Sequence, residues 1–404
     1  MKVTFTPSHL QGTVTAPPSK SMAHRMLICG GLADGISTIR GISESDDVSA
    51  TLRCLEALGV SYEKNGADVT VKGTNVRTSS PKKELYCHES GSTLRFLLPL
   101  CLLSGNKTTL TGTEKLISRP LSVYESICKE QGIQYSQEKS AVSVKGKLMS
   151  GEYKIPGNIS SQFITGLLFT LPLCDEDSLL HILPPIESRS YIDLTIEALR
   201  TFGIEIAWQD DKTLLIKGNQ HYKATSVTVE GDYSNAAFFA ALTLFGHGVN
   251  ITGLSEQSHQ GDRVYIKFFE MLDKGTPTIH IGDCPDLGPI LMAVAAAKNG
   301  AVFTGTKRLR IKESDRGTAM AVELSKFGVS VKVHEDSIVV YPISFHAPDE
   351  PLCGHNDHRI VMALSTLLCL TGGEIDGTEA VRKSLPEYFD LMKSIGADFT
   401  VRNE

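Results

Sequence analysis

Apolar and polar residues alternate along this chain in a pattern that predicts helices ending at glycine and leading directly into strands. In the clearest copy, Met320, Leu324 and Phe327 have the helical spacing i, i+4, i+7, Gly328 follows, and alternate valines continue to Val333. The pattern recurs around Gly59, Gly132, Gly203 and Gly396, and a degenerate copy precedes a predicted strand at residues 278–281. We therefore expect six modules of this kind.

A second pattern lies between these copies, in which a helix, a turn of glycine or acidic residues and a short β run follow one another. It covers residues 34–40, 105–110, 176–181, 246–251, 299–303 and 372–376. The period is roughly 70 residues, with one shorter interval near residue 275, and a fixed period indicates a repeated supersecondary unit. Alternating strands and helices predict an α/β or mixed α+β protein. Six units divide naturally into three and three at the β-rich connection 221–229.

A polar loop precedes the first helix of each unit. The six loops are residues 18–25, 89–95, 157–162, 231–235, 286–289 and 356–359. In each loop a serine, aspartate or asparagine can cap the following helix, and capping alone would explain these residue types. Together, however, the loops bring helix N-termini and basic side chains to one end of several units, which is typical of a phosphate or carboxylate site. The charges would come from Lys20, Arg25, Arg95, Arg119, Lys312, Arg316, Arg359 and Lys383, and the hydroxyls from Ser21, Ser92, Ser160, Ser161 and Ser188.

The densest charged stretch is Arg310–Arg316, with five charged side chains in seven residues before a predicted helix. Taken alone, such a run is typical of a solvated first helical turn. Beside the other loops it is also a candidate for anion binding. The pattern by itself leaves both interpretations open.

Composition narrows the class of protein. With 404 residues, of which 41% are hydrophobic and 21% charged, the chain is expected to form two or three globular domains. A formal charge of −6 disfavours a nucleic-acid-binding protein. Nine cysteines without a C-x-x-C pair are expected to be buried free thiols of a reducing compartment. Since neither a signal peptide nor an apolar run of about 18 residues is seen, we expect a cytoplasmic protein that does not bind a membrane.

Motifs for nucleotides, metals and serine nucleophiles are missing from the sequence. Neither GxxxxGK[ST], GxGxxG nor G-x-S-x-G occurs. The histidines of the loops do not have zinc-binding spacing, and we interpret them as loop or capping residues. They are His24, His88, His355 and His358.

Seven short motifs are spread over the whole chain. They are Pro18-Ser19-Lys20-Ser21 with Arg25, Ser118-Arg119-Pro120, Ser160-Ser161-Gln162, Ser188 with Tyr191-Ile192-Asp193, Lys312-Glu313-Ser314-Asp315-Arg316, Asp357-His358-Arg359, and Lys383-Ser384-Leu385-Pro386. In this order they resemble the 5-enolpyruvylshikimate-3-phosphate synthase family. The resemblance implies an enolpyruvyl transferase fold with two domains of three βαβαββ units each. It also implies that residues 20–229 form a first domain inserted into a second one made of residues 1–19 and 230–404.

The resemblance further implies two sets of ligand-binding residues in a cleft between the domains. Shikimate 3-phosphate, mainly on the first domain, would contact Lys20, Ser21, Arg25, Ser160, Ser161, Gln162, Ser188, Asp286 and Lys312. Phosphoenolpyruvate, mainly on the second, would contact Lys20, Gly91, Arg119, Gln162, Arg316, Arg359 and Lys383. Both ligands are polyanions, which agrees with the basic loops at helix N-termini.

The implied reaction is an addition followed by an elimination. The substrate 5-hydroxyl attacks C2 of phosphoenolpyruvate while C3 is protonated, and the tetrahedral intermediate then loses phosphate. Asp286 and Glu313 are assigned to proton transfer, with Lys20 and Lys312 as electrostatic partners. Arg310 and Ser314 are expected to be solvated, and Asp315 would orient Arg316 or its helix. By the same resemblance the protein is a monomer, needs no metal or organic cofactor, and belongs to a family targeted by glyphosate.

Two positions depart from the family. Glu89 replaces an amide in the loop before Gly91, and Arg308 stands where a substrate-contacting amide is expected, so neither is assigned to the site.

Two alternatives remain open. The sister transferase that acts on UDP-N-acetylglucosamine would carry a mobile loop with a cysteine and a Lys-Asn pair, whereas this chain has Lys20-Ser21 and no cysteine around Arg119. A non-catalytic anion-binding module on the same scaffold would lack the carboxylates of Asp286 and Glu313.

Overall fold

The computed structural model describes residues 1–79, 84–341 and 345–402 of the chain. The chain divides into two compact units, Pro18–Glu230, called here the central unit, and Met1–Pro17 with Gly231–Glu404, called the terminal unit. Each unit buries its own apolar core, which extends from Met22 to Val229 in the central unit and from Val3 to Ala397 in the terminal unit.

The described residues form 22 strands and 13 α-helices. The strands are β1 (Lys2–Thr6), β2 (Gln11–Thr15), β3 (Ile36–Arg40), β4 (Ser61–Asn65), β5 (Asp68–Lys72), β6 (Leu85–Tyr86), β7 (Thr108–Thr111), β8 (Gln134–Gln137), β9 (Ala141–Lys145), β10 (Glu152–Pro156), β11 (Ser178–Leu183), β12 (Ile206–Trp208), β13 (Thr213–Ile216), β14 (Ser226–Thr228), β15 (Gly248–Thr252), β16 (Thr278–His280), β17 (Ala301–Thr304), β18 (Val331–Val333), β19 (Ser337–Val340), β20 (Leu352–Cys353), β21 (Gly373–Asp376) and β22 (Asp398–Arg402). The helices are α1 (Lys20–Leu32), α2 (Asp46–Ala57), α3 (Gly91–Cys101), α4 (Glu114–Ile117), α5 (Ser122–Glu130), α6 (Ser161–Thr170), α7 (Arg189–Thr201), α8 (Tyr233–Leu244), α9 (Tyr265–Lys274), α10 (Gly288–Ala297), α11 (Arg316–Ser325), α12 (His358–Thr371) and α13 (Tyr388–Ser394). Short 3-10 helices occupy Leu171–Leu173, Gly261–Val264, Pro285–Leu287, Lys307–Ile311 and Thr378–Lys383.

The three sheets of the central unit share one arrangement. Across each sheet the strand orders are β14-β3-β5-β4, β6-β7-β9-β8 and β10-β11-β13-β12. The first two strands of each sheet are parallel, and the last two form an antiparallel pair. Two sheets are built from four strands that are consecutive in the chain, but the first is completed by β14, from the far end of the unit. The repeating element is thus βαβαββ.

The terminal unit repeats this arrangement with one shortened copy. Sheet β16-β17-β19-β18 is complete, and β1 from the N-terminus completes sheet β20-β21-β1-β22. The third sheet contains only β15 and β2 among the described residues, because the chain passes from α9 directly into β16. The missing antiparallel pair accounts for the short interval near residue 275. An apolar surface cavity of about 440 Å³ lies beside β15 and α9, lined in part by Val249 and Phe269.

The first helix of a repeat is buried on all sides, and the second is amphipathic. Nearly every residue of α6 and α10 is buried, whereas α7 and α9 bury one face. A helix that is apolar around its whole circumference must be surrounded by protein, so the first helices form the interior of each unit.

All six predicted helix-to-strand modules are present. They are α2–β4, α5–β8, α7–β12, α9–β16, α11–β18 and α13–β22. Gly328, three residues after the end of α11, has a φ of 80°, the left-handed conformation that glycine adopts without strain. The strand after it begins at Val331, two residues later than the alternation predicts. The mixed α/β class and the repeated unit are confirmed.

Five of the six predicted loops cap their helices. The side chains of Ser19, Ser90, Ser160, Asp232 and Asp357 each accept a hydrogen bond from a backbone N–H of the following first turn. The sixth prediction was wrong, because Asp286 lies in the 3-10 helix Pro285–Leu287 and α10 has no side-chain cap. Pro289 in the first turn of α10 has no N–H, so one of the donors that a cap would satisfy does not exist.

Eight of the nine cysteines are buried free thiols, as predicted, but Cys353 is exposed. It lies beside the buried Leu352 in the two-residue edge strand β20, where neighbouring side chains point to opposite faces.

Candidate active site

Arg316 lies at the centre of an ion-pair cluster in the terminal unit. Its side chain is 1% exposed, and its Nη1 donates to Asp286 Oδ1 at 2.7 Å. Nη2 donates to Glu313 Oε2 at 2.9 Å, and Nε donates to Asp357 Oδ2 at 2.9 Å. The planar guanidinium offers donors on two edges, which a lysine ammonium could not match. One buried cation therefore holds three carboxylates from three separate loops.

Lys312 lies in the same cluster, with its Nζ 3.0 Å from Asp286 Oδ1. Burial would raise the pKa of Asp286, but Lys312, Arg316 and Arg359 hold that pKa well below its usual range. Burial lowers the pKa of Lys312, and Asp286 offsets this only in part. Asp286 consequently stays ionised, and Lys312 releases its proton more readily than an exposed lysine does.

Asp357 connects the loop before α11 to the start of α12. It accepts from the backbone N–H of Arg359 at 2.9 Å as the cap of α12, and from Ser314 Oγ at 3.0 Å. The expectation of a solvated Ser314 was therefore wrong, because the fold brings an acceptor 43 residues away next to it. Arg310 is exposed as expected, and its Nη2 donates to the carbonyl of His334.

Asp315 caps α11 instead of contacting Arg316. Its Oδ1 accepts from the backbone N–H of Thr318 at 3.2 Å, and its Oδ2 accepts from the Thr318 hydroxyl at 2.9 Å. Of the two expected roles for Asp315, the structure supports orientation of the helix.

Two further basic side chains flank Asp357. Arg359 Nη1 donates to Asn235 Oδ1 at 2.9 Å, and Lys383 Nζ donates to the carbonyl and the side-chain oxygen of Asn356 at 2.8 and 2.9 Å. Asn235 lies in the first turn of α8, so the starts of α8, α11 and α12 meet here, and Asp286 adds the start of α10. Helix N-termini and cations together attract phosphate and carboxylate groups.

The central unit has its own group of basic residues at helix starts. Lys20 Nζ donates to Asp47 Oδ2 at 2.9 Å, which joins α1 to the first turn of α2. Arg25 donates through Nη1 to the carbonyl of Ser21 at 2.7 Å and through Nη2 to the carbonyl of Tyr191 at 3.0 Å. Burial lowers the pKa of Arg25 to about 10, which leaves its charge unaffected at neutral pH. Arg25 thereby fixes the start of α7 beside α1.

Gly91 and Gln162 bring together the starts of α3 and α6. Gln162 Oε1 accepts from Arg95 Nη1 at 2.7 Å, and its Nε2 donates to Ser92 Oγ at 3.0 Å. A Cβ at Gly91 would lie 3.1 Å from Arg119 Nη1 and 3.2 Å from Arg95 Nη1, so a larger residue would require both guanidinium groups to shift. The Nε of Arg119 is buried and has no hydrogen-bond acceptor within the described ranges. Such a donor suits an incoming anion.

Three expected hydroxyl groups lie at the starts of α6 and α7. Ser160 caps α6, Ser161 begins it, and the buried Ser188 directly precedes α7 with a φ of 57°. A hydrogen bond of 3.0 Å between Thr165 and Thr195 holds the two helices together.

Two of the histidines expected in loops or caps lie inside helices. His24 is buried in α1, with its Nδ1 2.8 Å from Thr51 Oγ1. Burial, followed by the charges of Lys20 and Arg25, lowers the pKa of His24 well below its usual value. His358 is the buried first residue of α12. The prediction was wrong because the polar loop pattern continues into a first helical turn that the fold then buries.

Sequence patterns do not single out several neighbours of the site. Asp47 looks like an ordinary acidic residue of a first turn, and Asn235 like a helix-start residue. Asp262 lies in the 3-10 helix Gly261–Val264, where burial and the nearby Asp286 raise its pKa to about 6. Arg308 is buried, and its Nη1 donates to the carbonyl of Gly282 at 3.2 Å. The signal for these residues is spatial, because the partner of each lies 24 or more residues away in the chain.

Residues 1–79, 84–341 and 345–402 contain no group of three or more His, Cys, Asp or Glu side chains arranged to hold a metal ion. In the same described residues, no helix is both long and apolar enough to span a membrane.

Comparisons with known proteins point to one family over the whole chain. Residues 5–276 and 268–392 match the family model for EPSP synthase (3-phosphoshikimate 1-carboxyvinyltransferase). The 3-phosphoshikimate 1-carboxyvinyltransferase of Clostridium kluyveri is 39% identical over 424 residues, covering 98% of this chain and 97% of the relative. The enzyme of the same name from Clostridium perfringens is 39% identical over 417 residues, covering 98% of each.

Solved structures with the same fold include an EPSP synthase from Acinetobacter baumannii, with a TM-score of 0.81, 24% identity and full coverage of both chains. The enolpyruvyl transferase NikO from Streptomyces tendae has a TM-score of 0.78 at 15% identity, covering 99% of this chain and 98% of its own.

Proposed function

The chain belongs to the EPSP synthase (3-phosphoshikimate 1-carboxyvinyltransferase) family, and we infer that the residues gathered at helix starts in its two units bind and activate the substrates of that reaction. The protein is a transferase that moves the enolpyruvyl group of phosphoenolpyruvate to the 5-hydroxyl of shikimate 3-phosphate, with release of phosphate. This reaction is a step of the shikimate pathway and therefore of aromatic amino-acid biosynthesis.

The observation that carries the assignment of roles is the cluster of Asp286, Lys312, Glu313 and Arg316. The reaction must take a proton from a hydroxyl, give one to a methylene carbon and stabilise a leaving phosphate. Two carboxylates and two cations within one hydrogen-bonded group can supply these functions. A non-catalytic anion-binding protein would need the cations alone.

For proton transfer we assign Asp286 and Glu313, with Lys20 and Lys312 as electrostatic partners. The low pKa of Asp286 keeps its carboxylate ionised at neutral pH, so it can accept a hydrogen bond from the hydroxyl that reacts. The lowered pKa of Lys312 fits it to pass a proton within the cluster, because its ammonium is a stronger acid than that of an exposed lysine. Since these groups are strongly coupled, the protons belong to the cluster and not to single residues.

For shikimate 3-phosphate we propose the hydroxyls and cations of the central unit, together with two residues of the cluster. The proposed contacts are Lys20, Ser21, Arg25, Ser160, Ser161, Gln162, Ser188, Asp286 and Lys312. Support comes from the starts of α6 and α7, which offer backbone N–H groups and serine hydroxyls to a phosphate.

For phosphoenolpyruvate we propose the arginine-rich positions and their neighbours. The proposed contacts are Lys20, Gly91, Arg119, Gln162, Arg316, Arg359 and Lys383. The buried Nε atoms of Arg119 and Arg359 support this choice, since neither has an acceptor within the described part of the chain. A carboxylate or phosphate would provide one.

We also propose that the enzyme acts as a monomer in the cytoplasm without a metal or organic cofactor. All proposed contacts come from one chain, and nine free cysteines fit a reducing compartment.

Phosphate release from phosphoenolpyruvate tests the proposed function. The purified chain is incubated with phosphoenolpyruvate alone, with shikimate 3-phosphate added, or with UDP-N-acetylglucosamine added. We expect release only with shikimate 3-phosphate, together with one equivalent of enolpyruvyl product by mass spectrometry. Release with UDP-N-acetylglucosamine instead would assign the chain to the sister reaction, and no release with either would favour a binding protein.

A matched pair of lysine variants tests the site. Lys312→Met is expected to lower kcat/KM at least ~100-fold, as loss of a group that stabilises developing charge usually does. Lys307→Met, five residues earlier, removes an exposed lysine that pairs with the exposed Glu335 and should leave kcat/KM unchanged. Equal effects of the two changes would contradict the assigned role of Lys312.

A further inference from the structure

Arg359 is held in a single orientation by an asparagine on another helix. Its Nη1 donates to Asn235 Oδ1 at 2.9 Å, and both side chains are buried. The backbone of each residue is itself fixed, because the N–H of Asn235 donates to the cap Asp232 at 2.8 Å and the N–H of Arg359 donates to the cap Asp357 at 2.9 Å. The contact therefore joins two rigid helix starts.

The bond to Asn235 leaves one edge of the guanidinium available. Nη1 is taken by the amide oxygen, and the opposite edge carries Nε and Nη2. The buried Nε of Arg359 makes no hydrogen bond in the described part of the chain. Nε and Nη2 together match the two oxygens of a carboxylate or the edge of a phosphate. The rotation that Asn235 imposes thus decides which edge meets a ligand.

The amide nitrogen of Asn235 is a second buried donor without an acceptor. Nδ2 has no hydrogen-bond partner in the described residues, although the whole side chain is 0% exposed. An asparagine that served only to stabilise the fold would not leave its buried amide N–H group unpaired. The free-energy cost of that unpaired donor offsets the stabilisation from the hydrogen bond of the amide oxygen. The two side chains of this hydrogen-bonded pair thus each keep a buried donor without an acceptor, at helix starts where an anion is favoured.

We propose that Asn235 is a positioning residue for phosphoenolpyruvate, acting through Arg359. Its amide oxygen sets the guanidinium so that the Nε–Nη2 edge receives an oxyanion of the substrate. This inference rests on the proposed function, in which Arg359 binds phosphoenolpyruvate. It adds a residue that the sequence motifs leave out.

Steady-state kinetics of Asn235→Ala in the full chain tests the inference. Loss of a hydrogen bond to a charged group should raise KM for phosphoenolpyruvate by about tenfold or more. KM for shikimate 3-phosphate should change less than about twofold, since that ligand does not depend on Arg359 in this scheme. Asn235→Asp keeps the acceptor but adds a negative charge beside the anion. It should also raise KM for phosphoenolpyruvate, even though Arg359 remains held.

A double-mutant cycle separates positioning from general damage to the fold. In an Arg359→Ala background, Asn235→Ala should change KM for phosphoenolpyruvate less than about twofold, because its route to the substrate is gone. Thr243→Ala provides the control on the same helix, since it removes a hydrogen bond of 2.6 Å to the carbonyl of Val249 far from the cluster. This variant should leave both KM values unchanged.

The outcomes distinguish this inference from the proposed function. If the wild-type chain turns over shikimate 3-phosphate and phosphoenolpyruvate but Asn235→Ala leaves KM for phosphoenolpyruvate unchanged, only the role of Asn235 is refuted. An equal rise in both KM values, or an undiminished effect in the Arg359→Ala background, would also refute it. Absence of wild-type turnover would refute the proposed function itself.

Discussion

Replacing Arg316 with methionine would leave three carboxylates without their shared cation. The guanidinium is 1% exposed, and Asp357 beside it is 0% exposed, so water cannot replace the lost bonds. Breaking a buried ion pair by removing one partner typically costs about 3–5 kcal/mol. Glu313 and Asp286 are 18% and 24% exposed, so solvent screens their charges in part. The loss of their ion pairs therefore adds less to the cost in stability. We therefore expect Arg316→Met to lower the free energy of unfolding by about 3–5 kcal/mol at pH 7.5.

The deficit should shrink as the pH falls. In the wild type the cations hold the pKa of Asp286 below its unfolded value, so that contribution is present above the unfolded pKa near 3.9 and is lost only as pH falls through the folded pKa. In the variant, Asp286 keeps Lys312 as a partner but loses Arg316, so the rise in its pKa that burial causes is offset less than in the wild type. Part of the penalty present at pH 7.5 should then disappear towards about pH 5, as this carboxylate takes up a proton.

Urea unfolding followed by circular dichroism at pH 7.5 and pH 5 measures both effects. Arg310→Met is the matched control, because this exposed arginine of the same segment donates only to the carbonyl of His334 in the described structure. Arg316→Met combined with Asp357→Asn should recover part of the loss, since asparagine still caps α12 but carries no charge. Equal midpoints for Arg316→Met and Arg310→Met, or a deficit that does not depend on pH, would refute the reasoning.

Three further substitutions probe single groups. Glu313→Gln should lower kcat at least ~100-fold with little change in substrate dissociation constants, as loss of a proton-transfer group does; single-turnover kinetics that are unchanged would remove Glu313 from the mechanism. Asp315→Ala should cost about 1 kcal/mol of stability through the lost cap of α11 while turnover stays unchanged, whereas Asp315→Asn should cost much less in the same melting assay. His24 is neutral in the fold, so wild-type stability should fall as the pH drops below the unfolded pKa of about 6.5. His24→Gln should show a flatter profile between about pH 6.5 and 5, and an identical slope would mean that His24 takes up protons equally in the folded and unfolded states.

Local patterns are sufficient to predict the repeated unit. A helix ending at Gly328 and a strand after it are consequences of spacing and backbone conformation within about ten residues. The caps Ser19, Ser90, Ser160 and Asp232 are equally local, because a cap bonds a backbone N–H two or three residues ahead. The capping rule was wrong at Asp286, because a proline in the first turn of α10 removes one of the backbone N–H groups that a cap would satisfy.

The candidate site depends both on sequence patterns and on the tertiary structure. Charge density marks Arg310–Arg316, and the family motifs name Lys312, Glu313 and Arg316. Neither the charge density nor the family motifs show which of these charged side chains are buried or paired. Ser314 and Arg310 look alike in sequence, yet one contacts Asp357 and the other lies at the surface.

The sequence by itself determines the number of units, their helices and strands, and the residue types at each helix start, because these follow from interactions between neighbours along the chain. Only the tertiary structure decides that β14 completes the sheet of β3, that β1 lies between β21 and β22, and that one repeat has no antiparallel pair. It also decides that Arg316 meets Asp357 41 residues away and that Asn235 meets Arg359 124 residues away. Such contacts join residues that are far apart in the sequence. They depend on how the helices and sheets of the whole unit pack against one another.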